Sequence, residues 1–77
     1  MPRITPVHWK TLVCIFEKDG FIFERSKGSH MVFSRKGTMR PIVIPKYKNI
    51  DDDIIINLMK TAKMNRSKYF RLLAKCK

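Results

Sequence analysis

The sequence predicts an α+β fold in the order α-β-β-β-α, with helices on one face of a three-stranded antiparallel sheet. Three observations lead there. Trp9, Leu12, Val13 and Phe16 recur at helical spacing, with Val7 and Ile15 flanking the stripe. Two tight glycine turns, at Ser26-Lys27-Gly28 and Arg35-Lys36-Gly37, then divide three strand-like runs. Finally Ile54, Ile55, Leu58, Met59 and Ala62 return to helical spacing. Strands joined by tight turns form a meander, and a half-buried sheet needs a helical layer on one face only.

Each element has a local reason. Thr5-Pro6 reads as the start of the first helix, Thr as cap and Pro at the first helical position, where its missing N–H costs nothing. Gly20 suits the helix end because it tolerates the left-handed conformation. Phe21 to Arg25 reads as strand one, with Phe21 and Phe23 on one face. Ser29 to Ser34 is strand two, and period two separates Met31 and Phe33 from His30, Val32 and Ser34. If helices cover the Met31/Phe33 face, His30 is left on or beside the open face. Thr38 to Ile44 reads as strand three. Pro41 inside it cannot donate to a ladder, which demands an edge strand or a bulge. Asp51-Asp52-Asp53 opens the next helix, where carboxylates favour the exposed N–H groups. Met64-Asn65 reads as a break with Asn65 as a fresh cap, and Tyr69, Phe70, Leu72, Leu73 and Cys76 form a final short helix.

Composition narrows the function. Residues 1–77 read as one small domain. No apolar run is long enough to span a bilayer, and Met1-Pro2-Arg3-Ile4-Thr5-Pro6 lacks the apolar core of a signal peptide. The expected location is the cytoplasm. Cys14 and Cys76 belong to no C-x-x-C pair, so no zinc site is expected, and in a cytosolic chain both should be reduced. Cys14 then reads as a small buried hydrophobe and Cys76 as a tail residue. Seventeen Lys and Arg against six acids give a net charge of +11. Residues 21–50 hold seven cations against a single acid. Nucleic acid, an acidic protein or an anionic membrane surface each fit such an excess.

The chemistry gathers at Lys27-Gly28-Ser29-His30-Met31-Val32-Phe33. A glycine turn leads into an apolar strand with an imidazole at the junction. Imidazole exchanges a proton near neutral pH. Arg25, Lys27, Arg35 and Lys36 would draw a polyanion to it. The same histidine also fits an idle sheet residue, and Lys27, Arg35 and Lys36 also fit solvated turns. Pro45-Lys46-Tyr47-Lys48-Asn49 is a basic loop with one aromatic, where a base can stack while lysines hold phosphates. In an antiparallel one-two-three meander the end of strand three lies beside the start of strand two, so this loop should converge on His30. Trp9 reads as core, Arg40 as a cross-sheet partner, and the acid triplet as helix-terminal rather than metal-binding. No metal or other cofactor is expected.

These residues, in order and over nearly the whole chain, resemble the HicA-type toxins, the mRNA-cleaving halves of bacterial toxin–antitoxin pairs. The matching positions are Gly20-Phe21, then Gly28-Ser29-His30-Met31-Val32-Phe33, then the apolar run Ile42-Val43-Ile44-Pro45. The resemblance implies a double-stranded-RNA-binding-domain-like fold, metal-free RNA cleavage and a HicB-type antitoxin that covers the active site. The family's catalytic histidine falls on His30. Many members carry a second histidine two residues after the proline, and this chain has Tyr47 there. His8 matches no assigned family position. The expected function is therefore a metal-independent endoribonuclease with His30 as base and Lys27, Gly28, Ser29, Lys46, Tyr47 and Lys48 on the RNA. The other readings are a double-stranded-RNA-binding module that cuts nothing, and an interaction protein whose basic surface docks an acidic partner.

Overall fold

The computed structural model describes residues 3–76, so Met1 and Pro2 of the N-terminal stretch and Lys77 at the other end lie outside the described residues. Its elements run α1 (Trp9–Lys18), β1 (Ile22–Lys27), β2 (His30–Ser34), β3 (Ile42–Pro45), α2 (Asp52–Ala62) and α3 (Arg66–Cys76). The sheet is antiparallel in the order β1-β2-β3, and the chain has the expected α-β-β-β-α order with its last helix in two pieces.

The first helix starts later than Thr5-Pro6. Ile4 is buried in the core, and Val7 pairs with Ile50 through hydrogen bonds of 3.3 and 2.7 Å. That distant pairing holds the segment extended, and His8 becomes the cap, its Nδ1 accepting from the Lys10 N–H at 3.1 Å. The helix ends as its glycine suggests. Gly20 has φ +99°, its N–H donates to Glu17, and the Phe21 N–H reaches back to the Phe16 carbonyl. The Phe16 and Phe21 rings then meet edge to face at 5.6 Å, the apolar contact that accompanies this type of helix end.

Phe21 consequently lies outside β1 and is buried, while Phe23 is 50% exposed at the sheet edge. Phe23 pairs with the core residue Phe33, their rings edge to face at 5.6 Å, so Phe21 and Phe23 both lie on the core side as period two suggested, and Phe23 stays half exposed because β1 is an edge strand. A register irregularity between Phe23 and Arg25 inserts Glu24 as an extra residue in β1, and its carboxylate takes a hydrogen bond from the Ser34 hydroxyl. The hairpin turn is Gly28-Ser29, with Lys27 already in β1 and His30 opening β2. Gly28 has φ +61°, as a two-residue turn with glycine at its first central position requires. Met31 and Phe33 enter the core as expected.

Strand three is shorter than Thr38 to Ile44. The Thr38 N–H closes a turn onto the Arg35 carbonyl at 3.0 Å, and the Thr38 hydroxyl accepts from Arg35 Nε at 2.9 Å. Thr38 is therefore held in the turn, Pro41 has no N–H to offer, and the ladder begins at Ile42. Arg40 is exposed ahead of the strand rather than paired across the sheet.

Helices α1 and α2 pack over β3, and α3 packs on α1. Asp51 precedes α2, with Asp52 and Asp53 in its first turn, and Asn65 caps α3 by accepting from the Lys68 N–H at 2.8 Å. The two cysteines depart from expectation. Cys14 on α1 and Cys76 at the end of α3 are disulfide-bonded, with Cα atoms 5.9 Å apart. The helical packing brings together two residues 62 positions apart, a proximity that their isolation in sequence does not announce.

Candidate functional site

The site is built at one end of the sheet. His30 is the first residue of β2 and is exposed, with Lys27 across from it on β1 and Pro45 on β3. Beyond Pro45 the ladder continues by one bond, from the Lys46 N–H to the Ser29 carbonyl at 2.7 Å. The Lys46-Tyr47-Lys48 loop thus starts against the turn that carries the histidine. Lys27, Gly28, Ser29, His30, Lys46, Tyr47 and Lys48 are all exposed within this one region. Tyr47 leaves 46% of its surface open. Val43, which pairs with Val32 on the same strands, is 41% exposed and marks the uncovered face of the sheet.

The loop is also tied to the start of α1. The Trp9 N–H donates to the Tyr47 carbonyl at 3.1 Å. Trp9 packs against the core but is only partly buried, so its reading as a core residue holds in part. The late start of α1 leaves the ring at the rim, where Lys46 Nζ stands 6.0 Å and Lys10 Nζ 5.7 Å from its centroid. The exposed His8 ring stacks beside it, 29° from parallel with centroids 5.7 Å apart. Sequence reasoning missed both residues. Trp9 has the spacing of a core stripe, and His8 becomes a cap only because Val7 is drawn into a bridge.

The charges divide into two kinds. Among the described residues the ion pairs are Arg35 with Asp19, at 2.6 Å, and Lys68 with the same carboxylate. Arg35 also donates to the Ala62 carbonyl at 2.8 Å and lies over the Phe21 ring at 4.6 Å. It is a bracket between α1, the second turn and α2, neither a solvated turn residue nor a cation near His30. Lys27, Lys46 and Lys48 pair with no carboxylate among the described residues. Asp51, Asp52 and Asp53 gather no other ligand, and no group of three His, Cys, Asp or Glu side chains among the described residues is arranged to hold a metal ion.

A family model described as the HicA toxin of bacterial toxin–antitoxin systems matches residues 9–64. The chain belongs to the HicA toxin family. A search of curated proteins finds no match. The HicA match runs from the first residue of α1 through the His30 hairpin, the basic loop and α2, and it leaves α3 and Cys76 outside. A HicA-family toxin is one half of a pair, so an antitoxin is its partner. No helix among the described residues is long and apolar enough to cross a membrane.

Proposed function

We propose that this toxin is a metal-independent endoribonuclease that cleaves mRNA with His30 as general base and is neutralised by a HicB-type antitoxin. One observation carries the reading: an exposed histidine at a hairpin end, with lysines around it from two other segments that pair with no acid among the described residues. Residues 1–77 would act as one domain.

RNA supplies its own nucleophile, the 2′-hydroxyl. His30 takes the proton from that oxygen as it attacks the adjacent phosphorus. Lys27, Lys46 and Lys48 stabilise the charge that builds on the phosphorane oxygens, and Gly28 and Ser29, exposed in the turn, border the same phosphate. The 5′-oxygen leaves with a proton from Tyr47, which stands where many relatives have a second histidine, or from water. The products are a 2′,3′-cyclic phosphate and a free 5′-hydroxyl. DNA should bind through its phosphates and stay intact, because it lacks the nucleophile.

Expression of the wild-type and His30→Ala proteins, scoring growth arrest and RNA integrity together, tests the assignment. Arrest and RNA loss should both disappear in a His30→Ala protein that still folds, since the side chain is exposed. Full activity in that variant contradicts His30 as base. RNA bound but left intact by the wild type supports the binding-module reading instead. Cleavage should persist in excess chelator, and loss restored by magnesium would turn attention to Asp51, Asp52 and Asp53.

A further inference from the structure

We infer that His8 and Trp9, with the exposed Tyr47 tied beside them through its backbone, form a stacking shelf for an unpaired nucleobase of the RNA strand that passes His30. The inference rests on the ribonuclease reading and adds a subsite to it.

Three features of the shelf are unusual for a residue merely filling the core. Trp9 is the chain's single tryptophan and leaves part of its ring at the rim. Two ammonium groups, from Lys10 and Lys46, lie over its ring at 5.7 and 6.0 Å from the centroid, on flexible side chains that can turn from the ring to a phosphate. Neither lysine is neutralised by an acid among the described residues. A second ring, His8, already lies nearly parallel to it. Aromatic faces with flanking cations are how proteins hold single strands: a base stacks on the ring while the cations take the adjoining phosphates. A paired base keeps its own neighbours in the stack and offers no free face, so the shelf selects unpaired RNA.

Its position relative to His30 follows from the register. Cα atoms of opposed antiparallel residues such as His30 and Pro45 lie roughly 5 Å apart. Pro45 and Tyr47 are separated by at most about 7 Å of chain. The Tyr47 carbonyl is then 3.1 Å from the Trp9 nitrogen. The shelf is therefore within reach of a nucleotide close to the one whose phosphate meets His30. Lys46 belongs to both places, since its backbone closes on Ser29 and its ammonium lies by the Trp9 ring. A base held on the shelf would fix the strand and set which phosphate is presented to the imidazole.

The single tryptophan makes the test direct. The full chain is titrated with a short unstructured 2′-O-methyl RNA, which cannot be cleaved through its 2′-oxygen. Trp9 emission and the anisotropy of a label on the RNA are followed in one sample. The expected result is saturable quenching that follows the anisotropy curve, with a fully paired duplex of equal length binding but quenching little. Trp9→Leu should weaken binding about tenfold and Tyr47→Ala by a few-fold. Trp9→Phe, which keeps a stacking face, should recover most of the loss. Binding seen by anisotropy with unchanged Trp9 emission overturns the shelf and leaves the nuclease reading standing. No binding of any RNA removes both. The wild-type titration needs no substitution, so it decides the matter even if a variant at Trp9 fails to fold.

Discussion

The two turns of the sheet are built from the same residue types and put to opposite uses. The turn after β2 carries Arg35-Lys36-Gly37, and Arg35 folds inward onto Asp19, whose side chain is only 1% exposed. Its guanidinium is spent on a carboxylate, two carbonyls and the face of Phe21. The turn after β1 carries Lys27-Gly28-Ser29, and its lysine meets no acid among the described residues. The loop beyond β3 adds Lys46 and Lys48 beside it, also unpaired. A cation beside a buried acid serves the fold, whereas a cation left without an acid stays available for phosphate. The overall charge of +11 does not separate the two kinds; the placement of Asp19 does.

Breaking the inward end should produce the largest effect on stability. Asp19→Ala leaves the part-buried Arg35 guanidinium without its acid, and chemical denaturation should show a loss of about 3 kcal/mol. Lys27→Ala at the other end should change stability by less than about 0.5 kcal/mol. Equal losses at the two ends would erase the distinction. The outward end is sharpened by Lys46→Ala with Lys48→Ala. Affinity for single-stranded RNA should fall about tenfold, and the slope of log affinity against log salt should become shallower by about 1.4, two phosphate contacts' worth. Titrations at several salt concentrations that leave both unchanged would remove the loop from the RNA site and direct attention to the basic surface of α3.

A further effect concerns an interior group that neither end employs. Tyr69 is buried and its hydroxyl finds no hydrogen-bond partner among the described residues. Burial raises its phenol above the usual 10.0. The folded chain therefore holds this proton more tightly than the unfolded one does. The associated stability is full below about pH 10 and is lost as the pH climbs through the raised value. Tyr69→Phe should remove that alkaline dependence and gain about 1 kcal/mol, because an unpartnered buried hydroxyl is taken away. Urea melts at neutral and alkaline pH measure both.

Local patterns were enough for much of this structure. The element order, the glycine end of α1, the Asn65 cap and the inward pair Met31 and Phe33 all follow from spacing and turn chemistry within a few residues. So does the meeting of the Pro45 end with the His30 turn, once the meander is granted. What was illegible depends on distant partners. Val7 is extended because Ile50 claims it, which moves the helix start and makes His8 a cap. Thr38 stays in a turn because Arg35 holds it, which shortens β3. Arg35 resembles a surface residue until Asp19 is found beneath it. Cys14 and Cys76 resemble separate thiols until α3 packs on α1. Glu24 bulges β1 between Phe23 and Arg25, an irregularity that an alternating pattern does not disclose.

In the proposed mechanism the exposed His30 draws the proton from the RNA's own hydroxyl. It is tested most directly by the ends of the cut RNA. Purified wild-type protein and His30→Ala should be incubated, in chelator, with one RNA and with the same strand carrying a single 2′-deoxy nucleotide at the cut position. The products are then read by mass spectrometry. The wild type alone should give 2′,3′-cyclic phosphate and 5′-hydroxyl ends, with no cut at the deoxy position. Ends bearing a 5′-phosphate and 3′-hydroxyl, or cleavage at the deoxy nucleotide, would contradict the mechanism.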